Sequence, residues 1–310
     1  MIQARARLCA RSQIVNAAKG VNVPNYEKRQ LAAGLYFVAT PIGTARDITL
    51  RGLDILASAD VIAAEDTRTA KRLMEIHGIP LGDRPVISYH DHNGGAVRPR
   101  LMRLLGEGKS LVYVSEAGTP LVADPGYALG QAAIAADIQV IGAPGPSAVI
   151  AALMVAGLPT DKFFFAGFAP NAKSARRRFF EDFAEVPGTL VFYESPKRIH
   201  AMLSDLAQTL GADRQAAVCR ELTKRFEEIS RGTLEELVEA FSERSVKGEI
   251  VVLVDRPRVG AVSDQTMEQA LQEALKTMRI KDAATAVSEA LGIPRRKVYQ
   301  AALDFKKDKE

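Results

Sequence analysis

The stretch LVYVSEAGTPLVADPG (111–126) joins a short apolar run to a loop rich in Gly and Pro. The apolar run is typical of a buried β-strand, and the Thr-Pro and Asp-Pro-Gly steps end it sharply. The loop also contains two acids, Glu116 and Asp124. They could act as a general base and its partner or bind a metal, although an Asp in a turn more commonly accepts bonds from nearby backbone N–H groups.

The same strand-then-loop pattern recurs through the first half of the chain. Segments with helical spacing of apolar residues, such as 48–59, separate the runs, so the pattern predicts βαβ units and a parallel sheet whose two faces are covered by helices. The predicted strands are 35–40, 60–65, 85–90, 111–116 and 138–143. This half, residues 34–157, is predicted to form an N-terminal α/β domain with a parallel five-stranded sheet.

The regular alternation of predicted strands and helices ends after GLPTDKF (157–163), which indicates a second α/β domain over residues 158–256. Strands and helices mix there without strict alternation, as expected for a mixed sheet. Residues 262–310 contain three segments with helical spacing and form a predicted small helical piece that resembles a helix–turn–helix.

Composition excludes several classes of protein. The chain has 310 residues, a net charge of +4 and only two cysteines, so it lacks the disulfide framework of a small secreted domain and fits a reducing cytoplasm. Residues 140–159 are uncharged, but their prolines and glycines favour strand, turn and helix over a membrane span. Residues 1–33 form a basic extension, predicted to be disordered rather than a transit peptide.

Ligands of open parallel sheets bind at the carboxyl ends of the strands. The loops predicted there contain neither GxGxxG nor GxxxxGK[ST], which argues against a dinucleotide site and a P-loop. Their Gly and Pro residues suit an uncharged or cationic ligand approached by backbone. His90 and His92 lack further ligands at a standard spacing, so we expect no metal site.

The loops occur in a specific order: GLYFVATPIG, ADVIAAEDTR, SEAGTPLVADPG, APGPSAVIAAL, GLPTDKFFFAGFAP, FYESPKR and CRELTKRFEE. The series resembles the tetrapyrrole methylase superfamily, and within it the branch that methylates small-subunit ribosomal RNA. The resemblance runs from about residue 34 to 255, and KDAATAVSEALGIPRRKVYQAAL is similar to the C-terminal helical piece of that branch.

The resemblance implies S-adenosylmethionine in the cleft between two domains, no metal, and transfer of a methyl group to the ribose 2′-hydroxyl of a decoding-centre cytidine in 16S rRNA. It also implies a cytoplasmic homodimer. The implied cofactor contacts are Pro41, Gly43, Ser115, Glu116, Ala117, Gly118, Thr119, Pro120, Leu121, Val122, Pro144, Gly145, Pro146, Ser147, Phe168, Tyr193, Glu194, Arg220, Glu221 and Leu222.

Three positions depart from the pattern of that branch. Thr44 stands where Asn is usual, Glu116 where Asp is usual, and Gly94-Gly95 follow His-Asp-His-Asn where a Glu is usual. Glu116 keeps the charge of Asp but adds one methylene, so a direct contact there would shift by about one C–C bond. None of the three removes a loop.

Proton removal from a ribose hydroxyl calls for a base, and Glu65 and Asp66 are the predicted candidates because Arg68 beside them would keep both ionised. Basic residues at helix starts are candidate phosphate contacts, with a solvated charged face as the alternative. The predicted RNA contacts are Arg68, Lys173, Arg176, Arg177, Arg178, Arg295, Arg296 and Lys297. Two other functions stay open: methylation of a tetrapyrrole, small molecule or protein side chain, and RNA binding without catalysis.

Overall fold

The computed structural model describes residues 24–122, 126–257, 264–276, 278–291 and 295–307. Most of the predicted basic extension, residues 1–23, lies outside the described residues, as does Asp124. Residues 24–33 form no helix or strand and run along the first domain. There the Tyr26 hydroxyl donates to the Gly78 carbonyl at 3.1 Å, and the Glu27 N–H donates to Asp54 at 2.7 Å.

The first sheet contains five strands in the order β3-β2-β4-β1-β5, and every neighbouring pair is parallel. Its central strands are buried on both faces, as the apolar runs predict. The predicted parallel five-stranded sheet is therefore confirmed. The strands are β1 Gly34–Val38, β2 Val61–Ala64, β3 Val86–Ser88, β4 Ser110–Val114 and β5 Val140–Ala143.

Helices follow each of these strands. Two of them, α1 and α2, pack over one face of the sheet, and α3 and α4 pack over the other. The helices are α1 Leu50–Ser58, α2 Thr67–Ile76, α3 Gly94–Gly106, α4 Tyr127–Ala135 and α5 Ala148–Ala156, with a 3-10 turn at Ala45–Asp47. In the described parts of the chain, no helix combines the length and apolar character that crossing a bilayer requires.

Strand order places a crevice at the centre of the first sheet. From β1 the chain crosses to β2 on one side, and from β4 it crosses to β5 on the other, although β1 and β4 are neighbours. The loops after these two strands therefore diverge, and such a switch point is where open α/β sheets bind ligands.

The second sheet is mixed, with the order β6-β7-β10-β8-β9; β6 and β7 are parallel and the other pairs are antiparallel. Its strands are β6 Phe163–Phe168, β7 Thr189–Glu194, β8 Gln215–Arg220, β9 Glu228–Thr233 and β10 Ile250–Val254. Helices α6 Lys173–Glu181, α7 Ile199–Leu210 and α8 Leu234–Ala240 cover one face, so the predicted mixed second domain is confirmed.

Helix α5 covers the other face of the second sheet, although the sequence assigns it to the first domain. Val149, Ala152, Leu153 and Ala156 pack against β8 and β10 in one buried cluster. The helix ends at Gly157, whose φ of 75° is readily adopted only by glycine. By packing, α5 therefore belongs with the second sheet.

The C-terminal piece is helical, as predicted. It contains α9 Asp264–Ala274, α10 Ile280–Leu291 and α11 Arg295–Lys307. Met267, Leu271, Val287 and Val298 form its own small core.

Candidate active site

A cleft of about 430 Å³ lies between the carboxyl edge of the first sheet and the second sheet, a volume within the range of small-molecule sites. The first domain supplies the loops after β1, β2 and β4, and the start of α5 adds Ser147 and Ala148. The second domain supplies residues at the ends of β6, β7, β8 and β10. The lining residues are Ile42, Glu65, Glu116, Ala117, Gly118, Thr119, Val122, Ser147, Ala148, Phe168, Tyr193, Glu194, Ser195, Pro196, Cys219, Leu222, Gly248, Glu249, Ile250 and Val251.

The loop after β4 is fixed to the loop after β1. Thr40 and Gly118 exchange both backbone hydrogen bonds, at 2.9 and 3.1 Å, and the Ser115 hydroxyl donates to the Gly118 carbonyl at 3.1 Å. Gly118 has a φ of 83°, where any other residue would be strained. The Thr119 hydroxyl also donates to the Pro146 carbonyl at 2.8 Å, which ties in the loop after β5. The divergent loops thereby form one rigid wall.

About half of the predicted cofactor contacts line the cleft: Glu116, Ala117, Gly118, Thr119, Val122, Ser147, Phe168, Tyr193, Glu194 and Leu222. The remainder belong to the same loops but do not line it: Pro41, Gly43, Ser115, Pro120, Leu121, Pro144, Gly145, Pro146, Arg220 and Glu221. Several of these hold the wall in place, as Ser115 and Pro146 do.

Glu65 and Asp66 follow β2 together, yet their side chains lie in different environments. Glu65 lines the cleft, and its Oε2 accepts the Glu116 backbone N–H at 2.9 Å. Asp66 caps α2 by accepting the Arg68 and Thr69 backbone N–H groups at 2.7 and 3.4 Å. Hydrogen bonds from the Arg68 side chain and backbone hold the pKa of Asp66 at about 2. Asp66 is therefore a weakly basic helix cap, and of the pair only Glu65 faces the cleft.

The second-domain wall is aromatic and acidic. The Tyr193 ring contacts Phe165 and Phe168, with centroids 4.8 and 5.5 Å apart, and burial raises the pKa of its hydroxyl. Glu194 is buried, accepts the Ser195 N–H at 2.7 Å and lies 3.2 Å from the Arg198 guanidinium. Tyr193 is thus a neutral surface, whereas Glu194 is an anchored carboxylate.

Arg220 and Glu221 do not line the cleft. Arg220 pairs with Glu228 at 3.0 Å. The Glu221 carboxylate accepts from the Lys224 ammonium at 2.9 Å and from the Glu249 N–H at 3.0 Å. Both residues therefore stabilise the turn that carries Leu222 and do not provide cleft surface.

The two domains meet where the loop after β1 contacts the loop after β8. The Thr44 backbone N–H donates to the Thr223 hydroxyl at 3.2 Å. A Cβ at Gly43 would lie 2.5 Å from that hydroxyl oxygen, so no larger residue fits without a shift. At Thr44 the backbone makes the interdomain bond, and this bond does not depend on which side chain stands there.

Sequence reasoning missed the lining residues of β8 and β10 and the turn before β10. Cys219, Ile250 and Val251 are strand residues with no polar pattern to mark them, and only pairing between β8 and β10 brings them together. Burial raises the pKa of the Cys219 thiol to about 12, so it is a neutral wall and not a nucleophile. Gly248 and Glu249 carry no recognisable motif either.

The predicted RNA contacts separate by exposure. Arg68 is 90% exposed, and Lys173, Arg178, Arg295 and Arg296 are exposed as well. Arg176 is a correction, because it is buried and its guanidinium lies 2.5 Å from Asp205, where no phosphate can reach it. Arg177 is half-buried and pairs with the same carboxylate. The Lys297 side chain lies outside the described residues.

Within the described ranges, no three His, Cys, Asp or Glu side chains are grouped to hold a metal ion. His90 and His92 pack ring to ring, with centroids 5.9 Å apart. The loop that contains them is instead organised by Asn93, which accepts the His90 N–H and donates to the Ser88 carbonyl.

Comparison with known proteins identifies the fold and its relatives. Residues 34–238 match the family model of tetrapyrrole (corrin/porphyrin) methylases, and residues 261–306 match that of the RsmI C-terminal HTH domain. The chain is 42% identical to the ribosomal RNA small subunit methyltransferase I of Mesorhizobium japonicum, over 90% of this chain and 94% of that protein.

Solved structures share the fold at lower identity. Cobalt precorrin-4 methyltransferase aligns with a TM-score of 0.55 at 19% identity, over 71% of this chain and 94% of that one. A uroporphyrin-III C-methyltransferase from Thermus thermophilus, solved with S-adenosylhomocysteine, aligns with a TM-score of 0.50 at 19% identity, over 71% of this chain and 96% of that one.

Proposed function

This chain belongs to the tetrapyrrole methylase family and, within it, to the ribosomal RNA small subunit methyltransferase I group, and we propose that it transfers a methyl group from S-adenosylmethionine to a ribose 2′-hydroxyl of small-subunit ribosomal RNA. The observation that carries the proposal is the 42% sequence identity to a ribosomal RNA small subunit methyltransferase I over 90% of this chain. The match to the C-terminal domain of that group, over residues 261–306, supports it. In finer detail, we propose a cytidine of the 16S decoding centre as the target.

The cleft fits this methyl donor. Four carboxylates line it, from Glu65, Glu116, Glu194 and Glu249, and no lysine or arginine of the described chain does. An acidic cleft walled by backbone and aromatic rings suits a ligand that combines a sulfonium cation with an adenosine. When bound, the donor supplies an electrophilic methyl group, and the loops at Glu116–Thr119, Ser147, Phe168 and Tyr193 would hold it.

The protein's own contribution is position and proton removal. Holding the hydroxyl oxygen in line with the methyl group removes an entropic barrier worth several kcal/mol. The Glu65 carboxylate is the proposed proton acceptor, because it lines the cleft and is anchored by the Glu116 N–H. Since that N–H belongs to the loop that walls the cleft, the same carboxylate also fixes the wall.

Transfer of a tritiated methyl group tests the function. We expect label in ribose of small-subunit RNA, recovered as a 2′-O-methylated nucleoside after digestion, with the assembled subunit and free 16S rRNA compared as substrates. Label in a tetrapyrrole or a protein side chain would contradict the proposal, and RNA binding without any transfer would indicate an assembly factor.

The Glu65 assignment is tested with Glu65→Gln, which keeps an oxygen to accept the Glu116 N–H but has no basicity. We expect turnover to fall by roughly 100-fold or more while cofactor affinity is retained. The matched control is Asp66→Asn, which keeps an oxygen to cap α2 and should retain most of the activity. Normal turnover in Glu65→Gln would rule out the assignment.

We propose a homodimer whose interface includes α5 and β6. Met154 is 80% exposed, and it lines an apolar hollow of about 420 Å³ together with Ile150 and Phe163, which are also exposed. A patch of this kind favours burial against a second copy. Sedimentation equilibrium should give a dimer for the wild type and a monomer for Met154→Glu; a wild-type monomer would contradict the interface. We further propose that the protein acts in the cytoplasm, which is consistent with a ribosomal RNA substrate.

A further inference from the structure

The turn between β8 and β9, residues 221–227, has an exposed aromatic ring at its tip. Phe226 is 62% exposed, and the Arg225 guanidinium lies 5.4 Å from its ring centroid. A single exposed apolar residue is common on protein surfaces and needs no explanation by itself. The features that distinguish this one are the rigidity of its turn and the place where the turn lies.

The turn is held in a conformation that its residues disfavour. Glu221 and Thr223 have φ values of 53° and 61°, in the left-handed region that costs a residue with a side chain about 1 kcal/mol or more. Seven hydrogen bonds within the turn and to Glu249 offset this cost. The Glu221 N–H donates to the Glu249 carbonyl at 2.9 Å, and the Thr223 N–H donates to Glu227 at 2.6 Å. Two more are backbone bonds, from the Lys224 N–H to the Glu221 carbonyl and from the Glu227 N–H to the Lys224 carbonyl. The Lys224 ammonium donates to the Glu221 and Glu249 carboxylates, and the Glu249 N–H donates to the Glu221 carboxylate.

The turn also forms part of the rim of the cleft. Leu222, four residues before Phe226, lines the cleft, and so does Glu249, to which the turn is bonded. On the other side, Thr223 accepts the Thr44 N–H from the first domain. A substrate that enters the cleft where the two domains meet therefore passes this turn.

We propose that Phe226 and Arg225 form a platform on which an unpaired base of the substrate RNA stacks, next to the nucleotide that is methylated. This proposal rests on the proposed function. A ribose can enter a cleft only if its nucleotide leaves the helical stack, and the exposed neighbouring base then gains free energy by stacking on an aromatic ring. Arg225 adds a cation that can hold the adjoining phosphate, and the fixed turn keeps the entropic cost of ordering low.

The test measures RNA binding separately from methyl transfer. The probes are small ribosomal subunits and a single-stranded RNA containing 2-aminopurine, whose fluorescence is quenched by stacking. For Phe226→Ala we expect RNA affinity to fall roughly 5- to 100-fold, with loss of quenching and unchanged cofactor affinity. Phe226→Trp should restore binding and quenching, whereas Phe226→Leu should not. The control is Ile134→Ala, which removes an equally exposed side chain, 67%, from the last turn of α4.

The outcomes distinguish a failure of the proposed base-stacking platform from a failure of the proposed methyltransferase function. If the wild type methylates ribosomal RNA and Phe226→Ala and Phe226→Leu bind it normally, the platform is wrong and the proposed function stands. If Phe226→Leu binds as well as Phe226→Trp, the site recognises apolar surface and not a base. A wild type that binds neither probe would overturn both proposals.

Discussion

Helices α6 and α11 begin with nearly the same signal, a run of basic residues, but they present it differently. In α6, Arg176 lies one helical turn before the buried Phe180 and points inward with it, where it pairs with Asp205. In α11, Val298 and Ala302 take the buried positions, which leaves Arg295 and Arg296 exposed. A run of basic residues at a helix start can therefore contact RNA only where the packing of the helix leaves those side chains exposed.

The largest expected effect follows from breaking the α6 pair. Asp205→Ala leaves the Arg176 guanidinium buried without its carboxylate, which we expect to lower the free energy of unfolding by about 3–5 kcal/mol. Urea unfolding followed by circular dichroism measures this. The control is Arg72→Ala, whose partner Glu75 lies on the surface with both side chains about 70% exposed, and it should cost less than about 1 kcal/mol.

The pH dependence provides an independent check on the same pair. Burial alone would raise the pKa of Asp205, but hydrogen bonds from Arg177 and Arg176 lower it overall. A carboxyl group whose folded pKa lies below its unfolded value stabilises the fold above the unfolded pKa, about 3.9, and loses that contribution as the pH falls through the folded pKa. The Asp205→Ala variant should lack this part of the acid-induced loss. An unchanged acid profile together with a small loss of stability would mean that the pair is not buried in solution.

The contrast also shows how far the sequence alone can predict this molecule. The alternating pattern predicts the parallel sheet correctly, because the central strands are apolar on both faces and each βαβ unit is continuous in the sequence. Strand β9 carries no such signal, because EISRGT lies at the sheet edge, is mostly half-buried and has no apolar run. The environment of Arg176 depends on Asp205, 29 residues away on α7, and no local pattern reports such a pairing.

The candidate site divides in the same way. Loops that follow the parallel strands could be assigned to the cleft because topology brings carboxyl ends together. Glu65 and Asp66 are neighbours in sequence, and only the start of α2 at Thr67 turns one into a helix cap and leaves the other in the cleft. Cys219 and Val251 line the cleft through antiparallel pairing that a sequence pattern does not specify.

The next effect in size concerns α11. Arg295→Ala combined with Arg296→Ala should leave the free energy of unfolding within about 0.5 kcal/mol, since both side chains are exposed. If both contact phosphates, the slope of log affinity for small-subunit RNA against log salt should become shallower by roughly 1.5. Arg100→Ala with Arg103→Ala removes the same charge from exposed positions of α3 and is the matched control. An unchanged slope in the α11 variant would make this run a solvated face.

The smallest effect is expected for the exposed members of α6. Lys173→Ala with Arg178→Ala removes two positive charges, as the double variant of α11 does. In α6, however, Glu181 and Asp182 follow at the end of the helix and offset the local positive potential. We therefore expect the salt slope to change by less than about 1, and stability to stay within about 0.5 kcal/mol. The same titration of RNA affinity against salt measures this slope, in parallel with the α11 variant. A change as large as that of α11 would mean that α6 also contacts RNA, through the side chains that its buried ion pair leaves outside.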